Sequence, residues 1–277
     1  MPECLFSWYS HNGQLRPASD FRDDFLQRPH YIYEVFRVTD GVALFLEDHL
    51  ERLQQTCALS EHCPGFSSGD VSKHVYEVIH ANALQTGNLK MVLYPDPVSG
   101  SHFLIYITPH EYPDAQQIAQ GVPVALFKGI RHNPNAKIMD VRLRNATNLM
   151  KEQMEVYETL LVDQQGCITE GSRSNVFFIR NNKVITPPVE DVLPGITRKH
   201  VMEVCKELGI EVNEEKVLAR SVVVMEAAFL SGTSRKVLPI RSIDELEFAP
   251  KHPLVLKIAE GFNNRAENYV NNYLSSH

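Results

Sequence analysis

The chain has 277 residues, 43% hydrophobic and 22% charged, with a formal net charge of -7. That composition is ordinary for a folded protein, and the length suits one large domain or two modest ones. The acidic balance argues against a nucleic-acid partner. No stretch reaches the roughly 18 apolar residues that a membrane span requires.

The five cysteines, Cys4, Cys57, Cys63, Cys167 and Cys205, are scattered and form no CxxC pair. They give no metal signature and fit a reducing compartment. The opening Met-Pro-Glu-Cys lacks the basic and apolar regions of a signal peptide. The expectation is a cytoplasmic protein with neither a metal nor a membrane partner.

Tyr31 to Val38 and Val42 to Leu46 read as strands joined at Thr39-Asp40-Gly41. The period then changes, and Leu46, Leu50, Leu53 and Cys57 fall on one helical stripe. Val71, Val75, Val78, Ile79 and Ala83 mark a second helix, and Lys90 to Tyr94 with His102 to Thr108 read as a hairpin. The weakly patterned stretch after Pro109 is the candidate connection between domains.

Beyond it, Val122 to Phe127 reads as a strand and Asn145 to Tyr157 as a helix, with Ala146, Leu149, Met150 and Met154 facing inward. Strands follow at Thr159 to Val162, Asn175 to Arg180 and Lys183 to Thr186, the last two joined by Asn181-Asn182. Val201 to Leu208 is a helix that Gly209 is placed to end. Phe229-Leu230 and Val237 to Ile240 read as strands, and Pro253 to Leu274 as a closing helix. Without strict strand–helix alternation, an α+β fold of two domains is expected. The division is 1–112, a connection at 113–121, and 122–277.

Four elements in the second half carry chemistry. Lys137 offers an amine that burial makes nucleophilic, although a lysine taken alone is ordinarily a solvated surface group. Glu170 ends an alternating run, where a carboxylate can keep a pyridine nitrogen protonated. Gly195-Ile196-Thr197 precedes a helix, so its amides and the helix dipole face any anion placed there; Thr197 as a plain cap is the commoner role. Ser231-Gly232-Thr233-Ser234 supplies a turn of donors with hydroxyls. In the first half His49 and Arg52 share a helical face, and Arg52 can give a charge-assisted contact to phosphate.

In this order the elements resemble the fold-type IV pyridoxal-phosphate enzymes: branched-chain aminotransferases, D-amino acid aminotransferases and aminodeoxychorismate lyases. The matching pieces are Tyr33-Glu34-Val35-Phe36-Arg37, His49-x-x-Arg52-Leu53, Glu170-Gly171 with Asn175-Val176-Phe177, and Pro187-Pro188. Leu193 to Arg198, Ser231-Gly232-Thr233 and Leu238-Pro239-Ile240 complete them.

The resemblance implies a smaller N-terminal α/β domain and a larger C-terminal mixed-sheet domain, with pyridoxal 5'-phosphate as cofactor. It implies Lys137 as the Schiff-base lysine and proton carrier, and Glu170 as the partner of the pyridine nitrogen. Arg52, Ile196, Thr197 and Thr233 would hold the phosphate, with Tyr33 and Ser234 at the substrate. The activity implied is an aminotransferase moving an amino group between an amino acid (branched-chain-like or D-) and a 2-oxo acid, in a homodimer. A lyase acting on aminodeoxychorismate and a non-catalytic relative stay open.

Four departures bear on this. Asp140-Val141-Arg142 resembles the family's Asp-Ile-Lys, with arginine in the lysine's place, and an arginine forms no imine. Lys137 is preferred because its 33 positions to Glu170 align without a gap. The Gly-Asp-Gly segment expected before Tyr33 is absent, and Thr108 to Tyr112 holds no counterpart of the D-amino acid branch's carboxylate clamp. Ser234-Arg235-Lys236 is more basic than the family pattern and would add positive charge near a substrate carboxylate.

Overall fold

The computed structural model describes residues 2–60, 65, 67–98 and 100–276. Its contacts divide into two compact units. The first holds residues 1–111, 136–141 and 266–277; the second holds 112–135 and 142–265. This departs from the three consecutive blocks expected from the sequence. The presumed connection carries a capped helix, α3 (Ala115–Gln120), that packs within the second unit.

The first unit is built on a sheet of β1 (Leu5–His11), β2 (Gln14–Pro17), β3 (Ile32–Thr39), β4 (Val42–Ala43), β5 (Gly87–Asp96) and β6 (Gly100–Thr108). Their spatial order is β2-β1-β6-β5-β3-β4. Helices α1 (Leu46–Leu59) and α2 (Ser68–Ala81) lie on one face.

Alternation along β3 sorts its side chains. Ile32, Phe36 and Val38 join the helix-side core, where the stripe Leu46, Leu50, Leu53 and Cys57 meets them. Tyr31 and Tyr33 join an aromatic cluster with Phe25, Tyr94 and Tyr106. The helix begins where the sequence suggested a longer strand, because Phe45 adopts a left-handed conformation that stops β4 at Ala43.

The second unit is a mixed sheet of β7 (Val122–Lys128), β8 (Glu158–Val162), β9 (Cys167–Gly171), β10 (Asn175–Arg180), β11 (Lys183–Thr186), β12 (Val212–Glu214), β13 (Val217–Leu218), β14 (Ala227–Gly232), β15 (Lys236–Ile243) and β16 (Leu246–Glu247). Their order is β12-β11-β10-β14-β15-β7-β8-β9-β13, with β16 on β15. The turn between β10 and β11 has Asn181 and Asn182 both at positive φ, as a two-residue hairpin requires. Helix α5 (Ile196–Glu207) packs on β14, and Gly209 at φ +67 follows its end.

Helix α4 (Val141–Met154) buries only Thr147, so the inward face expected from Ala146, Leu149 and Met154 is corrected. Leu149 and Met154 are exposed. The helix starts four residues earlier than the apolar pattern suggests, and its covered line runs through Leu143, Thr147 and Met150. Helix α6 (Pro253–Ser276) gives its last turns, from Ala266, to the first unit.

Cys4, Cys57, Cys167 and Cys205 are buried free thiols; Cys63 lies outside the described residues. Among the described residues no helix is long and apolar enough to cross a membrane.

Candidate active site

The first unit places Lys137 by its backbone. Segment 136–141 runs beside the start of β3, with an isolated bridge between Ile32 and Ile138. Tyr33 N donates to the Lys137 carbonyl at 3.1 Å, and Met139 N donates to the Tyr31 carbonyl at 2.8 Å. From α1, Thr56 Oγ1 accepts the Lys137 N–H at 3.1 Å. Both backbone groups of Lys137 are therefore held, and its Nζ lies 4.8 Å from the centre of the Tyr33 ring. Arg142, its rival in the alignment, is an exposed residue in the first turn of α4 and belongs to the other unit.

Arg52 is buried in a charged triad. Its Nε and Nη2 donate to the two carboxylate oxygens of Glu34 at 2.8 and 2.7 Å. His49 Nδ1 lies 2.9 Å from Glu34 Oε2, so the imidazole carries its proton on Nδ1. Burial by itself would raise the Glu34 carboxyl, but the Arg52 guanidinium and the His49 hydrogen bond outweigh it and bring it down to about 2. Burial also lowers His49, against the pull of Glu34. The fork on Glu34 fixes the plane of the Arg52 guanidinium.

Sequence reasoning overlooked Glu34 as a site residue. Its signal was present: an acid standing in the inward phase of β3 between Ile32 and Phe36, where a charge persists only if paired.

In the second unit the end of β9 and the start of α5 are tied together. Glu170, 2% exposed, accepts from Arg131 Nε through Oε1 at 2.6 Å and from Leu193 N through Oε2 at 3.2 Å. Asn175 Nδ2, on β10, donates to the Leu193 carbonyl at 2.9 Å. The loop before α5 is thus gripped at both polar groups of one residue.

A side chain at Gly195 would put Cβ 2.1 Å from Asn175 Oδ1, so any other residue must displace the Asn175 side chain. As helix cap Gly195 supplies no side-chain acceptor. The following amides, Ile196 and Thr197 included, have no carbonyl within the helix to meet. Arg198 turns away, to the Pro187 carbonyl and Glu214, and anchors the helix start. Beside this, Ser231 pairs in register with Asn175, and its buried hydroxyl meets no partner among the described residues. Thr233 and Ser234 are half-buried in the turn between β14 and β15.

Thus Tyr33, Arg52 and Lys137 lie in the first unit, and Glu170, Ile196, Thr197, Thr233 and Ser234 in the second. Arg131 escaped the sequence reading because an isolated arginine in an irregular stretch carries no pattern.

These residues fit a phosphate-bearing pyridine cofactor. A buried carboxylate retains acceptor capacity beyond its two contacts. A side-chain-free helix start faces an anion, and an orphaned hydroxyl stands next to it. The features of the second unit suit an enzyme of the pyridoxal-phosphate-dependent kind.

The chain belongs to the class IV amino-transferases, whose family model matches residues 31–243. It is 26% identical over 284 aligned positions to the branched-chain-amino-acid aminotransferase of Salmonella typhimurium, covering 93% of this chain and 91% of that one. It is 25% identical over 248 positions to the D-alanine aminotransferase of Bacillus licheniformis, with 84% and 87% covered. The branched-chain amino acid aminotransferase of Thermobaculum terrenum, solved in its PLP-bound form, superposes with a TM-score of 0.83 at 21% identity, over 97% of this chain and 96% of that one. The family is pyridoxal-phosphate-dependent, and its members are enzymes.

Proposed function

We propose that this protein moves an amino group between an amino acid, branched-chain-like or of the D-series, and a 2-oxo acid, using Lys137. The carrying observation is the double backbone anchoring of Lys137 by Thr56 and Tyr33, with its amine over the Tyr33 ring. That favours Lys137 over the exposed Arg142 as the residue that bonds the cofactor aldehyde.

When bound, pyridoxal phosphate supplies a carbonyl for the amine and an electron sink for the α-carbon. The chain does the rest. Lys137 Nζ takes the proton from the α-carbon of the amino acid and, in the return half-reaction, gives one to the α-carbon derived from the 2-oxo acid. Glu170, held by Arg131 and Leu193 N, would face the pyridine nitrogen and keep it protonated. The Ile196 and Thr197 amides and Thr233 would hold the phosphate, and Arg52, oriented by Glu34, would supply it a charge-assisted contact. Tyr33 and Ser234 line the substrate side. The working form is a cytoplasmic homodimer.

The test is a spectral screen of L- and D-amino acids on the purified holoenzyme. An accepted amino acid shifts the cofactor absorbance, and a 2-oxo acid restores it. Pyruvate release from aminodeoxychorismate without an amine acceptor would instead identify the lyase. Borohydride reduction followed by peptide mapping places the cofactor on Lys137; a label elsewhere, or one surviving Lys137→Ala, refutes the assignment.

A further inference from the structure

The basic residues after Ser234 are not absorbed by this mechanism. Arg235 leads to a group of charges within the second unit that has its own geometry. The guanidinium carbon of Arg235 lies 5.3 Å from the centre of the Tyr157 ring, and Lys151 Nζ, from α4, lies 5.9 Å from the same ring. Arg235 Nη2 pairs with Glu158 Oε2 at 2.9 Å. Glu158 is fully buried and also accepts from Ser172 Oγ. Arg235 Nε is buried and donates to nothing among the described residues.

The strongest electrostatic neighbours of Lys151 are Glu158, Arg173, Arg235 and Arg144, one acid against three further cations. The Lys151 ammonium is itself held below its ordinary range, first by burial and then by those cations, against the pull of Glu158. Lys151 and Arg235 share the Tyr157 ring beside one buried carboxylate, Glu158, and leave a surplus of positive charge at a partly desolvated position. One Tyr157 ring holds two of the cationic heads together, so little side-chain entropy remains to be lost when an anion arrives. Such a group is completed by acceptor oxygens, which would neutralise the surplus and give Arg235 Nε a partner.

We infer that Lys151 and Arg235, which share the Tyr157 ring, and Arg173, whose carbonyl accepts from Arg235 Nη1 at 3.5 Å and whose Nη2 donates to Asn148 Oδ1 at 2.7 Å, form an oxyanion-binding site that does not use the start of α5. Its ligand is a small dianion carrying phosphate or paired carboxylate groups. Arg235 supplies directed N–H groups, Lys151 a compact charge, and exposed Arg173 the outer face of the site.

The holoenzyme, whose phosphate cradle is filled, is titrated by calorimetry with inorganic phosphate and with succinate at matched ionic strength. Saturable binding of one dianion per chain is expected. Lys151→Gln and Arg173→Gln should each weaken it about tenfold, the loss of one charge-assisted hydrogen bond. Arg235→Lys, which keeps the charge opposite Glu158, should weaken it without unfolding the unit. Phosphate preferred over succinate identifies a phosphate-bearing occupant, and the reverse order a dicarboxylate. No saturable heat, or equal binding by wild type and Lys151→Gln, overturns the site. Because binding is read without turnover, the result stands whatever the amine-transfer assay gives.

Discussion

Glu34→Gln is the most exacting test of the buried triad. The substitution keeps the shape of the side chain and removes its charge, leaving Arg52 buried opposite a neutral amide. The ordinary carboxyl value of 4.5 falls to about 2 in the fold. At about 1.4 kcal/mol for each pH unit, that difference is worth about 3 kcal/mol at neutral pH. Breaking a buried pair from one side costs about 3–5 kcal/mol in general, so the two routes agree.

The sign follows from proton binding. Between about 2 and 4.5 the unfolded carboxyl holds a proton that the folded one has shed, so stability rises with pH across that window. The contribution is whole above the unfolded value and is lost as pH falls toward the folded one. His49, lowered by burial below its ordinary 6.5, adds a loss of the same sign as pH drops below that value.

The chain's one tryptophan, Trp8, lies on β1 of the first unit, so its fluorescence in urea reports this unit. Glu34→Gln should lower stability by about 3 kcal/mol at pH 7, and the gap to wild type should shrink by about half or more near pH 3. A gap under about 1 kcal/mol at pH 7, or one unchanged at pH 3, would refute the reasoning.

Three further outcomes are expected. Gly195→Ala drives a methyl toward Asn175 Oδ1 at 2.1 Å and must displace the side chain that holds Leu193. Pyridoxal-phosphate affinity, read by equilibrium dialysis, should fall about tenfold or more; unchanged affinity would remove α5 from the cradle. Glu170→Gln should cut turnover far more than cofactor occupancy, and equal turnover would exclude Glu170 from the site. Thr56→Val deletes the acceptor of the Lys137 amide, costing about 1 kcal/mol of stability and slowing turnover; turnover at the wild-type rate would show that this anchor does not position Lys137.

Much of this was readable from residue order, because side-chain pattern carries burial. The stripe Leu46, Leu50, Leu53, Cys57 packs as its period requires, and Asn181-Asn182 makes its hairpin. A similar signal stands at Asn12-Gly13, whose positive φ angles of 49 and 78 turn β1 into β2. Glu170 and Gly195 were visible as residue types, but the grip on Leu193 that joins them was not. It depends on one backbone amide and one backbone carbonyl, and backbone groups are the same in every residue.

The same blindness explains Lys137 and Arg142. They stand five positions apart, and an alignment separates them only by the cost of a gap in α4. In the fold they belong to different units, because residues 137–139 pair with the edge of β3 through main-chain hydrogen bonds that no side-chain code announces. Strand-like pairing also has a phase. With Tyr33 N on the Lys137 carbonyl and Met139 N on the Tyr31 carbonyl, a one-residue slip would reverse which side chains share a face with Tyr33. The amine therefore meets the Tyr33 ring because of register, and Arg142, exposed in the first turn of α4, lies beyond the pairing. The proposal of Lys137 as the reactive amine rests on that register.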